Sequence, residues 1–127
     1  MTDFNQLNGM QYLNIETFRK NGKGVRTPVW FVKEGDTLYI RTDANSGKVK
    51  RIHSSGQVNI APCKMDGSLL GDWLPAQARE VTDDEIARKV DRLLNRKYGL
   101  MKKMFGMATL LRGRQDTILE VKECEGK

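Results

Sequence analysis

A mainly β chain that curls into a closed or nearly closed antiparallel barrel is what this sequence predicts. Three observations carry the prediction: six short runs of alternating or β-branched residues, tight-turn residues between them, and only two helical stretches, one short and one longer. A barrel this small fills its interior with side chains, so a ligand must bind outside it or between subunits. The 127 residues read as one domain, 1–127, with a core over about 11–122 and loose ends at 1–10 and 123–127.

The elements follow in order. Residues 1–10 form a lead-in or a short helix. From Gln11 to Arg19, Leu13, Ile15 and Thr17 alternate with Tyr12, Asn14, Glu16 and Phe18, which is the period of a strand. Asn21-Gly22-Lys23-Gly24 tolerates positive φ and makes a hairpin turn. The second strand runs from Val25 to Lys33. Pro28 removes one ladder donor from it, so it belongs at an edge, at a bulge, or beside something other than a strand. Glu34-Gly35-Asp36 turns into the third strand, Thr37 to Thr42. A short helix follows, with Gly56 at C′. Gln57 to Cys63 is the fourth strand, Met65-Asp66-Gly67-Ser68 a turn, and Leu74 to Val81 the fifth strand. Thr82-Asp83-Asp84-Glu85 reads as a capping box, not a catalytic carboxylate pair. The helix it opens places Ile86, Val90, Leu93 and Leu94 on one stripe and stops at Tyr98-Gly99. Residues 100–115 mix Met, Leu and basic residues and are assigned no element. Thr117 to Lys122 is the sixth strand.

The chemistry concentrates in Arg41-Thr42-Asp43-Ala44-Asn45-Ser46-Gly47-Lys48-Val49-Lys50-Arg51-Ile52. Small polar residues here suit a helix N-cap, at Asn45 or Ser46, and Val49 and Ile52 enter the short helix at i, i+3 spacing. A helix N-terminus leaves backbone N–H groups unpaired and attracts anions. Hydroxyls (Thr42, Ser46), a glycine that admits close approach (Gly47) and four cations (Arg41, Lys48, Lys50, Arg51) share the segment, a combination suited to a phosphate ester. A capped, solvated basic helix has the same spacing, and the pattern alone does not separate the two.

Composition bounds the rest. Hydrophobic residues make up 39% and charged residues 30%, an ordinary globular balance. No apolar run approaches the ~20 residues a membrane helix needs, and the N-terminus lacks the regions of a signal peptide. Cys63 and Cys124 lie far apart, and only His53 could supply an imidazole, so no metal site is expected and both thiols are read as reduced in a cytoplasm. The net charge of +6 favours an anionic partner: a phosphorylated small molecule, nucleic acid or a membrane surface.

Several segments also carry a resemblance: Phe18-Arg19-Lys20-Asn21-Gly22, Val25-Arg26-Thr27-Pro28-Val29-Trp30-Phe31, Leu38-Tyr39-Ile40-Arg41-Thr42-Asp43, Ser46-Gly47-Lys48-Val49-Lys50-Arg51-Ile52, Ala61-Pro62-Cys63, Leu70-Gly71-Asp72-Trp73 and Arg96-Lys97-Tyr98-Gly99. In this order and spacing they resemble the pyridoxamine 5'-phosphate-oxidase-like (PPOX class) split barrels. Within these, they closely resemble one branch, the small proteins grouped as coenzyme F-420-dependent enzymes of the flavin/deazaflavin oxidoreductase superfamily. The resemblance implies a six-stranded antiparallel split β-barrel (an FMN-binding split barrel). It also implies a cytoplasmic homodimer with two cofactors, coenzyme F-420 or FMN, in clefts between the protomers. By that resemblance Arg26, Thr42, Ser46 and Lys48 hold the cofactor phosphate beside Gly47. Arg41 and Arg51 add contacts, and backbone at Thr27, Pro28 and Val29 faces the ring. FMN oxidases of the family usually carry lysine where this chain has Phe31, which leans the resemblance towards the deazaflavin.

The implied function is an oxidoreductase that passes a hydride between the bound cofactor and a small-molecule substrate. Chemistry resides in the cofactor, so no catalytic side chain is expected. His53 reads as a helix-surface residue, Trp30 and Trp73 as core or interface packing aromatics in preference to a lining of the ring pocket, and Met101, Met104 and Met107 as core or interface filler. The basic run from Arg88 to Lys103 reads as a solvated helix face. Alternatives from other classes are a cofactor carrier without turnover and a basic barrel that binds nucleic acid. The last lacks a cluster of exposed aromatics on adjacent strands to stack bases.

Overall fold

The computed structural model describes the backbone of residues 4–110 and 116–123 and the side chains of 4–99 and 116–123. The alternating segments become seven strands: β1 (Tyr12–Phe18), β2 (Gly24–Val29), β3 (Val32–Glu34), β4 (Thr37–Asp43), β5 (Gln57–Cys63), β6 (Leu74–Val81) and β7 (Asp116–Glu123). They pair antiparallel in the order β2-β1-β5-β6-β7-β4-β3. The two edge strands are consecutive in the chain and separated only by Trp30 and Phe31. Three Cα steps of ~3.8 Å cannot hold the sheet edges far apart, so the sheet curls until its edges meet at this dipeptide. That is a split barrel.

The expected six strands are therefore seven, because the second one is two. Val29 still pairs with Leu13 on β1, whereas Val32 already pairs with Tyr39 on β4. One segment serves both edges and must leave the ladder between them. Pro28 lies in β2, an edge strand, where a missing donor is tolerated.

The inner face of the sheet buries Leu13, Ile15, Leu38, Ile40, Val58, Ile60, Ala76, Leu119 and Val121 in one cluster with Phe31. Phe4 and Leu7, from a 3-10 turn at Phe4–Leu7, are 2% and 1% exposed and belong to this cluster. The core thus starts before residue 11, and the first ten residues are not all a loose end. A short helix, α1 (Gly47–Ser54), closes one end of the barrel by adding Val49 and Ile52 to the same cluster. On the outer face, Val32, Tyr39, Val81 and Ile118 meet Val90, Leu94 and Tyr98 of the long helix α2 (Asp84–Leu110).

One local assignment needs correction, and two others gain detail. The N-cap of α2 is Asp83 rather than Thr82: its carboxylate accepts from the Glu85 and Ile86 N–H groups at 2.7 and 3.4 Å, since Asp offers a stronger acceptor one residue closer to the helix. The helical pattern does break at Tyr98 (φ −117°, ψ 15°), where the sequence placed its stop. A second helical stretch follows directly across that kink to Leu110, in part of the stretch left without an element; residues 111–115 lie outside the described residues. Gly56 follows the Ser55 C-cap and so occupies C′ as expected, though without the left-handed φ that often accompanies that position. Glycine is needed at 56 for close approach, since a Cβ there would sit 2.8 Å from the Ala78 carbonyl oxygen, beside the Ala78 N–H to Gly56 O bond. The side chains of Met101, Met104 and Met107 lie outside the described residues.

The kink serves the split. Phe31, between the two edges, has no strand partner for its backbone. The Tyr98 hydroxyl accepts from the Phe31 N–H at 3.2 Å, approaches the Phe31 carbonyl at 3.0 Å and donates to the Gln11 carbonyl at 2.7 Å. Lys97 Nζ donates to the Phe31 carbonyl at 2.9 Å and lies 3.5 Å from the Phe31 ring centroid. Trp30 stacks on Tyr98, centroids 4.3 Å apart, which places Trp30 in packing. Burial drives the Tyr98 hydroxyl up to about 12 and the Lys97 ammonium down to about 8.

Tyr98→Phe removes the hydroxyl that serves both sides of the split and should lower stability by about 1–3 kcal/mol. Urea denaturation of the two chains, compared at pH 7, measures this.

A candidate anion site at the end of the barrel

At the end of β4, Thr42 pairs with Thr117 and the chain enters the turn before α1. Asp43 shapes the turn: its carbonyl accepts from the Ser46 N–H at 3.0 Å and its carboxylate from the Asn45 N–H at 2.9 Å. Of the two N-caps the sequence allowed, the structure uses Ser46, whose hydroxyl accepts from the Val49 N–H at 3.4 Å. Gly47 and Lys48 then form the first turn.

Arg51, one turn on, folds back over this start. A Cβ built at Gly47 would lie 2.7 Å from Arg51 Nη1, so the missing side chain is what admits the guanidinium. Its Nε donates to Thr17 Oγ1 on β1 at 2.7 Å. Lys48 lies beside it. Burial pulls the Lys48 ammonium below its usual range, the Arg51 charge adds to that, and Asp43 opposes both. Ser46, Gly47, Lys48 and Arg51 thus lie together at the start of α1, and Thr42 sits at the end of β4 just before the turn that leads into it.

The remaining expected residues lie elsewhere. Arg26 projects from the other face of β2, ion-paired to Glu16 at 3.2 Å and 4.9 Å from the Trp73 ring centroid. Thr27, Pro28 and Val29 lie along the edge strand, with Val29 packed on the inner core. An edge strand keeps one row of backbone groups unpaired, so this stretch can offer its backbone to a ligand. Arg41 faces α2 rather than α1, bound to Asp91 at 2.7 Å and to Asp116 at 3.2 Å. These two carboxylates come from elements remote in sequence, so the spacing that grouped Arg41 with Lys48 could not reveal the separation.

Sequence reasoning missed the residues that fasten α1. Thr17 is one. The others are on the far side: His53 lies 2.6 Å from Glu80 Oε1, and Thr117 donates to Glu80 Oε2 at 2.5 Å. His53 is 59% exposed at its side chain, a surface residue as read, yet it ties the helix to β6. The Thr117 hydroxyl, and after it His53, hold Glu80 below the usual carboxylate range against the opposing effect of burial.

A second basic surface contrasts with this one. An open groove of about 440 Å³ on the first half of α2 is lined by Glu85, Ile86, Arg88, Lys89 and Arg92. There Lys89 is paired with Glu34 at 2.6 Å. Cys63 is buried, which raises its thiol, and Cys124 lies outside the described residues. Among the described residues no group of three His, Cys, Asp or Glu side chains could hold a metal ion, and no helix is long and apolar enough to cross a membrane.

No family model matches the chain, and no curated protein matches it in sequence. Solved structures do match in fold. A candidate pyridoxamine 5'-phosphate oxidase from Listeria innocua superposes with a TM-score of 0.62 at 12% identity, over 94% of this chain and 88% of that one. The heme storage protein HutZ from Vibrio cholerae gives 0.65 at 16% identity, over 94% and 85%. An F420 reductase gives 0.59 at 16% identity, over 98% and 95%. The fold is that of the pyridoxamine-phosphate-oxidase-like split barrels.

Gly47→Ala places a methyl group where the guanidinium tip now lies. The tip can swing into solvent, so stability should hold or rise by up to about 1 kcal/mol from the helix-forming residue. Phosphate affinity, measured by calorimetry in parallel with thermal unfolding, should fall.

Proposed function

We propose that this chain is a flavin- or deazaflavin-dependent oxidoreductase that holds the phosphate of coenzyme F-420 or FMN at the start of α1. The observation that carries the reading is the Lys48–Arg51 pair beside Gly47, with Arg51 fastened by a hydroxyl rather than a carboxylate. The donor set fits a phosphate: an ammonium, a guanidinium, first-turn N–H groups of a helix and a glycine that lets a ligand come close. The F420 reductase that shares the fold supports a redox-ring cofactor.

The barrel interior is filled with side chains, so the ring must lie outside it. The free edge of β2 at Thr27–Val29 offers backbone groups to its polar rim, and Arg26, over Trp73, extends the same strand. In this reading two copies pair so that the second protomer closes the cleft and excludes water. When bound, the cofactor supplies the hydride chemistry. The residues of this chain bind and orient: Lys48 and Arg51 neutralise the phosphate, Ser46 sets the helix start, and the β2 edge fixes the plane of the ring. A carrier without turnover shares the same site, and the heme storage protein of the same fold supports it. Reduction of a bound cofactor followed by substrate-dependent reoxidation separates the two.

Lys48→Ala should weaken FMN or F-420 binding about 10- to 150-fold, the equivalent of a charge-assisted contact of ~1.5–3 kcal/mol, without unfolding the chain. Titration of both proteins with the two cofactors side by side tests it. Equal affinities for wild type and variant would overturn the assignment.

A further inference from the structure

Thr17 is a hydroxyl in an apolar row. It shares the inner face of β1 with Leu13 and Ile15, both 0% exposed, and is itself 1% exposed. A polar group at such a position costs stability unless it is bonded, and its bond is to Arg51 Nε at 2.7 Å. Being β-branched, threonine has a stiff χ1, so the hydroxyl direction is fixed by the strand.

The chemistry of this holder sets Arg51 apart from several other cations in the described residues. Arg26 is paired with Glu16, Arg41 with Asp91 and Asp116, Arg79 with Glu120, and Lys89 with Glu34. A carboxylate fixes a guanidinium but cancels its charge. A hydroxyl fixes it and leaves the charge intact. With Nε anchored, the guanidinium turns its Nη1 edge over Gly47 at the start of α1. Placing a second cation there has a visible cost, since Arg51 contributes to lowering the neighbouring Lys48 ammonium.

We propose that Thr17 is the positioning residue of the anion site, holding Arg51 by its Nε so that an uncancelled positive charge stays aimed over Gly47. The inference rests on the phosphate-binding reading above and adds to it a residue from the barrel wall, thirty-four positions away from Arg51. Thr17 touches no ligand; it acts through Arg51.

The test uses the full chain, flavin mononucleotide as the probe, and Thr17→Val, Thr17→Ser, Arg51→Gln and the Thr17→Val/Arg51→Gln double variant. Thr17→Val should weaken the probe about 3- to 10-fold, the effect of one lost hydrogen bond. It should leave the unfolding midpoint unchanged or raised, since valine fills the same space. Thr17→Ser should restore affinity, and Thr17→Val should add nothing in the Arg51→Gln background. A purely structural Thr17 would give the reverse: a lowered midpoint and unchanged affinity, or an equal loss in both backgrounds. Either result overturns the proposal. Exchange of the Arg51 Nε–H, followed by NMR without ligand, keeps the two readings apart. Slow exchange in wild type and fast exchange in Thr17→Val supports the positioning role even if wild type binds no flavin mononucleotide, in which case the phosphate-binding reading fails. Equal exchange in both overturns the positioning role whatever binds.

Discussion

The seating of α1 across the open end of the barrel is the constraint on which the site depends. Val49 and Ile52 bury into the core that the strands line, which fixes the axis of the helix. Arg51 to Thr17 ties one side to β1, and His53 through Glu80 to Thr117 ties the other to β6 and β7. Hydrophobic burial supplies most of the energy and has no direction, whereas the two polar ties fix the rotation of the helix. Rotation decides whether Gly47 and Lys48 face the barrel rim or bulk water.

The split of the barrel is a second constraint, and it is met by different means. A sheet that curls until consecutive edge strands meet must leave at least one peptide out of the ladder. Here that backbone belongs to Phe31, and its N–H and C=O find Tyr98 and Lys97 on α2. The helix that covers the outer face therefore also completes the hydrogen bonding of the sheet, and it does so from the residues at its break.

How much of this was legible in the sequence follows from the range of each interaction. Alternation of Leu13, Ile15 and Thr17, or of Leu38 and Ile40, is a local signal, and the strands lie where it put them. The first turn of α1 was legible for the same reason: Ser46 is three residues from the N–H it caps. The division of the second strand was not, because it depends on where two distant edges meet. Nor was the separation of Arg41 from Lys48, which Asp91 and Asp116 impose from α2 and β7. Thr17 looked like one more residue on a strand face, and only the folded chain brings Arg51 to it.

The central claim is that an anionic cofactor is held at the first turn of α1. The most direct measurement is a ¹⁵N NMR titration of the full chain with flavin mononucleotide and with coenzyme F-420. The account predicts that the largest shifts fall on the backbone N–H groups of Gly47 and Lys48 and on the Arg51 Nε–H, saturating together. Signals there that stay still while those of Arg88, Lys89 and Arg92 on α2 move would contradict it.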